Sequence, residues 1–132
     1  MTSGVLPAQA LRQLIAQGAL AATPAIRDDQ LQPASLDLRL GATAYRVRAS
    51  FLAGQGRSVA SRIAEFEMHR IDLTRGAVLE KGCVYVVPLM ERLSLPRGVS
   101  AVANAKSSTG RLDVFTRVIA DGVGAFDQVP EG

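Results

Sequence analysis

Apolar positions recur with a helical period near the N-terminus and with a period of two over most of the remaining chain. In LPAQALRQLIAQGAL, Leu11, Leu14 and Ile15 fall on one face. Pro7 suits a first helical turn and Gly18 an end, so the spacing predicts a short helix with one apolar stripe. Residues Ala21 to Gln32 carry Pro24 and no period, and read as a connector. From Pro33 the period becomes two. In SLDLRL, Leu36, Leu38 and Leu40 point one way while Ser35, Asp37 and Arg39 point the other. After Gly41, AYRVRA alternates through Tyr45 and Val47, and AGQGRSVASR reads as a flexible loop. Then come HRIDL, an AVLEKGCVYVV pair turning at Lys81 and Gly82, LMERLSL, GVSAVANA and DVFTRVIA. Strands this short, spaced by Gly and Pro turns, predict an all-β sandwich or barrel. Pro88 predicts an edge or a bulge.

One segment breaks the strand pattern. Between VSAVANA and DVFTRVIA stands KSSTGRL, in which Ser107 or Ser108 is a natural N-cap for one helical turn. Amides at a helix start lack internal partners and favour an anion. Lys106 and Arg111 flank the turn, and Ser107, Ser108 and Thr109 add hydroxyl donors. Each charge-assisted hydrogen bond to a phosphate there is worth about 1.5–3 kcal/mol. The same residues also fit a serine-capped surface turn with two solvated cations, and the pattern alone leaves both readings open.

Composition narrows the field. The 132 residues suit one domain, large enough for a core but small enough to gain from self-association. The net charge is +3, and thirteen of the fifteen basic residues are arginine, which suits bidentate contact with phosphate or carboxylate. The basic residues form no block, and two tyrosines, four phenylalanines and no tryptophan make a poor platform for stacking bases. Nucleic acid is therefore not an expected partner. One cysteine, Cys83, and one histidine, His69, allow no internal disulfide and too few ligands for a Cys/His zinc site. A Ser-His-Asp triad would need His69, which no nucleophile-elbow pattern accompanies. No apolar run reaches the roughly 18 residues of a membrane span and no signal peptide is recognisable, so a cytoplasmic protein without a membrane partner is expected.

Two stretches carry a resemblance to a known family. LQPASLDLRLG, Leu31 to Gly41, resembles the N-terminal signature of the dCTP deaminase family, a QPAS-x-DLRLG string that follows an N-terminal helix. KSSTGRLDVFTRVIADG resembles that family's RSS-x-x-R-L-G segment, which leads into a strand ending in a V-T-A-like triplet. The intervening VLEKGCVYVVPLMERLSLPRGVSAVANA is similar to the family's strand, long hairpin and ELP connection. The resemblance runs from about Val5 onward and is nearest to the long bacterial subgroup, in which residues 1–132 form the amino-terminal domain. It implies a dUTPase-like distorted β-sandwich, jelly-roll-like, with a short N-terminal helix. It also implies zinc-independent deamination of dCTP to dUTP and ammonia, a magnesium ion on the triphosphate, and a homotrimer with active sites shared between subunits.

Carried over by position, Lys106 stands where the family has the first arginine of the motif. Ser107 and Ser108 match its two serines, one near the triphosphate and one near the reacting base, with Thr109 and Gly110 completing the turn. Arg111 matches the second arginine, a contact of the triphosphate and the catalytic site. Ala120 matches the strand end whose backbone reads the cytosine edge, and Asp127 the aspartate of an I-D-P-G turn beside the deoxyribose. Ser107 and Arg111 are thus the expected catalytic contacts.

There are departures. Lys106 replaces a guanidinium with a point charge, losing bidentate geometry but keeping phosphate attraction, and Gly110 loosens the turn before Arg111. The family's catalytic glutamate follows the I-D-P-G turn on the next strand. Glu131 matches a linker position, so that glutamate is expected beyond Gly132, in a domain incomplete at its C-terminus. The runner-up activity is a dUTP diphosphatase, alone or joined to the deaminase, with Asp121 as its candidate aspartate. A non-catalytic nucleotide-binding or trimer-forming domain is the third reading.

Overall fold

The computed structural model describes residues 4–112 and 114–132. Helix α1 (Ala8–Ala16) starts after Pro7, whose extended backbone forms the N-cap and whose missing N–H costs nothing there. Gly18 ends it at φ +80°, a conformation that glycine adopts without strain. The apolar stripe lies where the spacing puts it. Leu14 is buried with Leu20 and Leu95, and Leu11, Ile15, Ile26, Leu36 and Val129 pack around them.

The described strands form three small antiparallel sheets, of which the first and third reach that cluster through Leu20, Leu93, Ala101 and Val129. Strand β1 (Leu20–Ala22) takes in the first two residues of the expected connector and pairs with β5 (Glu91–Leu93), Leu20 opposite Leu93. A 3-10 turn at Asp28–Gln30 follows β1. In the second sheet β2 (Thr43–Val47) is central, between β3 (Glu67–Asp72) and β4 (Val84–Val86). The third joins β6 (Ala101–Val102) to β7 (Gln128–Val129). β4 is an edge strand, and Pro88 lies just past it, where no ladder donor is lost. The Pro88 carbonyl accepts from the Gly41 amide at 2.7 Å. A Cβ at residue 41 would stand 2.6 Å from that oxygen, so the approach requires glycine.

Four expectations need correction. AGQGRSVASR is not all loop: α2 (Val59–Phe66) begins within it, capped by Ser58 Oγ, which accepts from the Ser61 amide at 3.1 Å. Its buried Ile63 and a Phe66 ring stacked on Phe51, centroids 5.5 Å apart, hold it to the body. The arm before Lys81 is no strand, because β4 pairs with β2 instead and the Glu80 amide donates to Tyr85 Oη at 3.0 Å. DVFTRVIA forms no ladder over residues 114–120, and Val114 and Phe115 are exposed. SLDLRL is extended but joined only by single bridges, Leu31 to Leu36 and Leu40 to Leu89. Its burial is inverted, with Leu38 and Leu40 exposed and Asp37 and Arg39 half-buried. The physical reason is Glu91: its carboxylate, not a neighbouring strand, accepts the Arg39 amide at 2.7 Å and the Arg39 Nε at 2.7 Å.

Candidate functional site: the Lys106–Arg111 turn

Helix α3 (Ser107–Arg111) is a single exposed turn. Its N-cap is Lys106, without a side-chain cap, so neither Ser107 nor Ser108 serves in that role. The Lys106 carbonyl accepts from the Thr109 and Gly110 amides at 3.0 and 3.4 Å, which closes the turn through the backbone and leaves the serine hydroxyls on its outside. Thr109 is half-buried, whereas Ser107, Ser108, Gly110 and Arg111 are exposed. Two cations and exposed hydroxyls on one turn can grip an oxyanion, and the guanidinium of Arg111 can do so bidentately.

Lys106 is already engaged. Its Nζ donates to Asp37 Oδ2 at 2.9 Å, which joins the turn to the SLDLRL segment. That segment is held from beneath by a buried polar network. Gln30 Nε2 donates to the Asp37 carbonyl at 2.9 Å and to Glu91 Oε2 at 3.0 Å, and Arg39 Nη2 donates to the Pro24 carbonyl at 2.7 Å. Burial of Glu91 pushes its pKa up, but the Arg39 amide, the Arg39 guanidinium and Gln30 together hold it below the usual glutamate value. No buried side-chain nitrogen or oxygen among the described residues lacks a partner.

Asp127 sits at φ +63° on a tight turn before β7. Its Oδ1 accepts the Val118 amide at 2.8 Å, its own amide donates back to the Val118 carbonyl at 2.8 Å, and Arg117 Nε reaches Oδ2 at 2.6 Å. The Val118 amide holds its pKa below the usual aspartate value; slight burial opposes this and the Arg117 guanidinium adds to it. Arg117 also lies over the Phe126 ring, 5.0 Å from its centroid. Ala120 stands in a different setting. Its carbonyl accepts from Val123 at 3.3 Å in a turn clasped to the loop before α2, with Gly122 N donating to the Arg57 carbonyl at 2.7 Å and Gly54 N to the Val123 carbonyl at 3.1 Å. Asp121 Oδ1 accepts the Val59 amide at 2.7 Å and so helps to cap α2.

The structure thus joins Lys106 to Asp37 and Asp127 to Val118 and Arg117. Among the described residues no hydrogen bond or ion pair joins Ala120 or Asp127 to the Lys106–Arg111 turn. The pairing of Asp37 with Lys106 had one signal in the sequence, an acid in SLDLRL facing away from its leucines. The pairing of Arg117 with Asp127 had none. Of the carboxylates near the turn in sequence, Asp121 and Asp127 are engaged as described, Glu131 Oε2 accepts the Gly98 amide at 2.5 Å, and Asp113 lies outside the described residues. Among the described residues no three His, Cys, Asp or Glu side chains converge to hold a metal ion. Two open hollows, about 410 Å³ beside Pro24, Gly41 and Met90 and about 200 Å³ beside Ile63 and Arg70, include no residue of the turn. No described helix is long and apolar enough to cross a membrane.

The geometry can be set beside known proteins. The crystal structure of 2'-deoxycytidine 5'-triphosphate deaminase from Agrobacterium tumefaciens superposes with a TM-score of 0.94 at 55% sequence identity, over 100% of this chain and 39% of that one. The small antiparallel sheets thus belong to a dUTPase-like fold. The chain spans well under half the length of that relative. The family model for the 2'-deoxycytidine 5'-triphosphate deaminase (DCD) N-terminal domain matches residues 2–132, and the chain belongs to that family.

Proposed function

We propose that these residues form the nucleotide-positioning part of a dCTP deaminase, which hydrolyses dCTP to dUTP and ammonia without zinc. The observation that carries this reading is the exposed turn Lys106–Arg111, with two cations and outward hydroxyls, in a chain 55% identical to a dCTP deaminase. Lys106, Ser107, Ser108, Thr109, Gly110 and Arg111 bind the triphosphate, and Ser107 and Arg111 also act at the reacting base. The Ala120 turn presents backbone groups to the cytosine edge, and Asp127 flanks the deoxyribose. Magnesium travels on the triphosphate oxygens, in keeping with a turn that offers cations and hydroxyls rather than acids.

Deamination requires water to attack C4 of cytosine and the departing amine to receive a proton. A carboxylate near neutral pKa can do both in turn. Serine, arginine and backbone donors orient the water and stabilise the charge of the tetrahedral intermediate. Asp121, Asp127 and Glu131 each accept a structural hydrogen bond. We therefore assign binding and orientation to this chain, and proton transfer to a carboxylate outside that set. The commitment of Asp121 to α2 favours deamination over the diphosphatase reading. The turn lines neither of the two hollows described, which suits a site completed by a second surface, as in a homotrimer of a cytoplasmic enzyme.

The test is ammonia release from dCTP with magnesium, by the protein at its natural length. Equal amounts of ammonia and dUTP are expected, unaffected by a zinc chelator and lowered when EDTA exceeds magnesium. Diphosphate release from dUTP with no ammonia from dCTP would replace this reading with the diphosphatase.

A further inference from the structure

Lys106 and Asp37 stand 69 positions apart in the chain, yet their side chains meet at 2.9 Å. Asp37 is no loose surface acid. Its amide donates to the Gln30 carbonyl at 2.8 Å, its carbonyl accepts from Gln30 Nε2 at 2.9 Å, and Gln32 Nε2 reaches the same Oδ2 at 3.3 Å. Gln30 is buried and continues to the buried Glu91. The acceptor is therefore fixed to the core, whereas the ammonium arrives on a flexible stem from an exposed turn. A carboxylate held in that way is an alternative ligand for the one lysine that a phosphate at the turn would use.

On the reading of this turn as the triphosphate contact, we propose that Asp37 competes with phosphate for Lys106 and so sets how tightly the turn holds a triphosphate. Two effects act in the same direction. Asp37 neutralises Lys106 before the nucleotide arrives, and its own negative charge then faces the incoming phosphates. dCTP and dUTP carry the same triphosphate, so contact with it strengthens substrate and product alike. Such uniform binding lowers KM without raising kcat, and it delays product. Asp37 holds that contribution down, and the triphosphate product leaves more readily for it.

The experiment is calorimetric titration of magnesium-dCTP and magnesium-dUTP into the protein at its natural length. Asp37→Asn keeps the backbone bonds to Gln30 and removes the charge. It is expected to tighten both nucleotides by a similar factor, about two- to fivefold at low salt, the scale of one exposed ion pair. In a Lys106→Gln background most of that gain should vanish. Unchanged or weaker binding by Asp37→Asn with Lys106 present overturns the proposal, as does a full gain that persists without Lys106. If the unaltered protein binds neither nucleotide, the triphosphate reading fails and this inference falls with it; binding by the unaltered protein with no gain in the variant sinks the inference alone. A measurement on the unaltered protein guards against a misfolded variant. Adding inorganic tripolyphosphate should move the NMR signals of both the Lys106 ammonium and the Asp37 carboxyl carbon. Nucleotide binding that leaves the Asp37 signal in place contradicts the exchange.

Discussion

At the scale of single residues, Glu91 carries the most weight. Its side chain is fully buried and accepts three hydrogen bonds, two from Arg39 and one from Gln30. Removing one partner of a buried pair leaves the other charge unsatisfied, typically a loss of 3–5 kcal/mol. Arg39 keeps the Pro24 carbonyl, so Glu91→Gln should cost about 3 kcal/mol in urea unfolding at neutral pH. The pH dependence follows from the sign of the shifts. Glu91 and Asp127 both have folded pKa values below their unfolded ones. Their stabilisation is complete above the ordinary carboxylate range, about pH 4, and is lost as pH falls through the lowered folded values. The unaltered protein should therefore lose stability steadily on acidification below about pH 5, and Glu91→Gln should show a shallower acid limb. An acid limb of equal slope in the variant would mean that folding leaves the pKa of Glu91 unchanged.

At the scale of elements, the joints between segments decide more than the strands do. Gly41→Ala would drive a methyl group against the Pro88 carbonyl at 2.6 Å, so a loss of about 1–3 kcal/mol is expected in thermal unfolding. Asp121→Ala should cost about 0.5–2 kcal/mol by uncapping α2. Its larger effect should be on nucleotide binding, because the same turn carries Ala120; a variant with lowered stability but unchanged binding would separate that turn from the base. Much of this level was legible in the sequence. Leu11, Leu14 and Ile15 at helical spacing gave α1, alternation gave β2, and hydroxyls between two cations marked the Lys106–Arg111 turn. What stayed hidden has a common cause. Alternation records which side chains differ, not which partner satisfies the backbone. SLDLRL therefore looked like a strand, although Glu91 takes the place of a neighbouring ladder. The glycines of AGQGRSVASR masked Ser58, a cap with Ile63 and Phe66 behind it. Residues 114–120 have strand composition but no strand beside them among the described residues.

At the scale of the whole molecule, these residues expose more surface than a compact chain of their mass. A 13.9-kDa chain exposes 9,311 Å², where a compact protein of that mass exposes about 6,700 Å². Phe115, Val102 and Leu112 contribute to the excess at 91%, 77% and 76% exposure. Such apolar area suits an interface, and the proposed shared site has the same requirement. Sedimentation equilibrium should show association. Phe115→Ser should weaken it about 10- to 100-fold, the scale of 1.5–3 kcal/mol for one buried phenylalanine; a monomer at all concentrations would contradict the shared site. If the Lys106–Arg111 turn holds the triphosphate of a free pyrimidine nucleotide, two arginines should respond differently to replacement. Arg57 pairs with Glu65 on α2, apart from the turn, whereas Arg111 lies on it. In calorimetric titration with magnesium-dCTP, Arg111→Ala should lose about 1.5–3 kcal/mol of binding and Arg57→Ala little. Equal losses from the two variants with folding intact, or tighter binding of single-stranded DNA than of dCTP, would contradict the account.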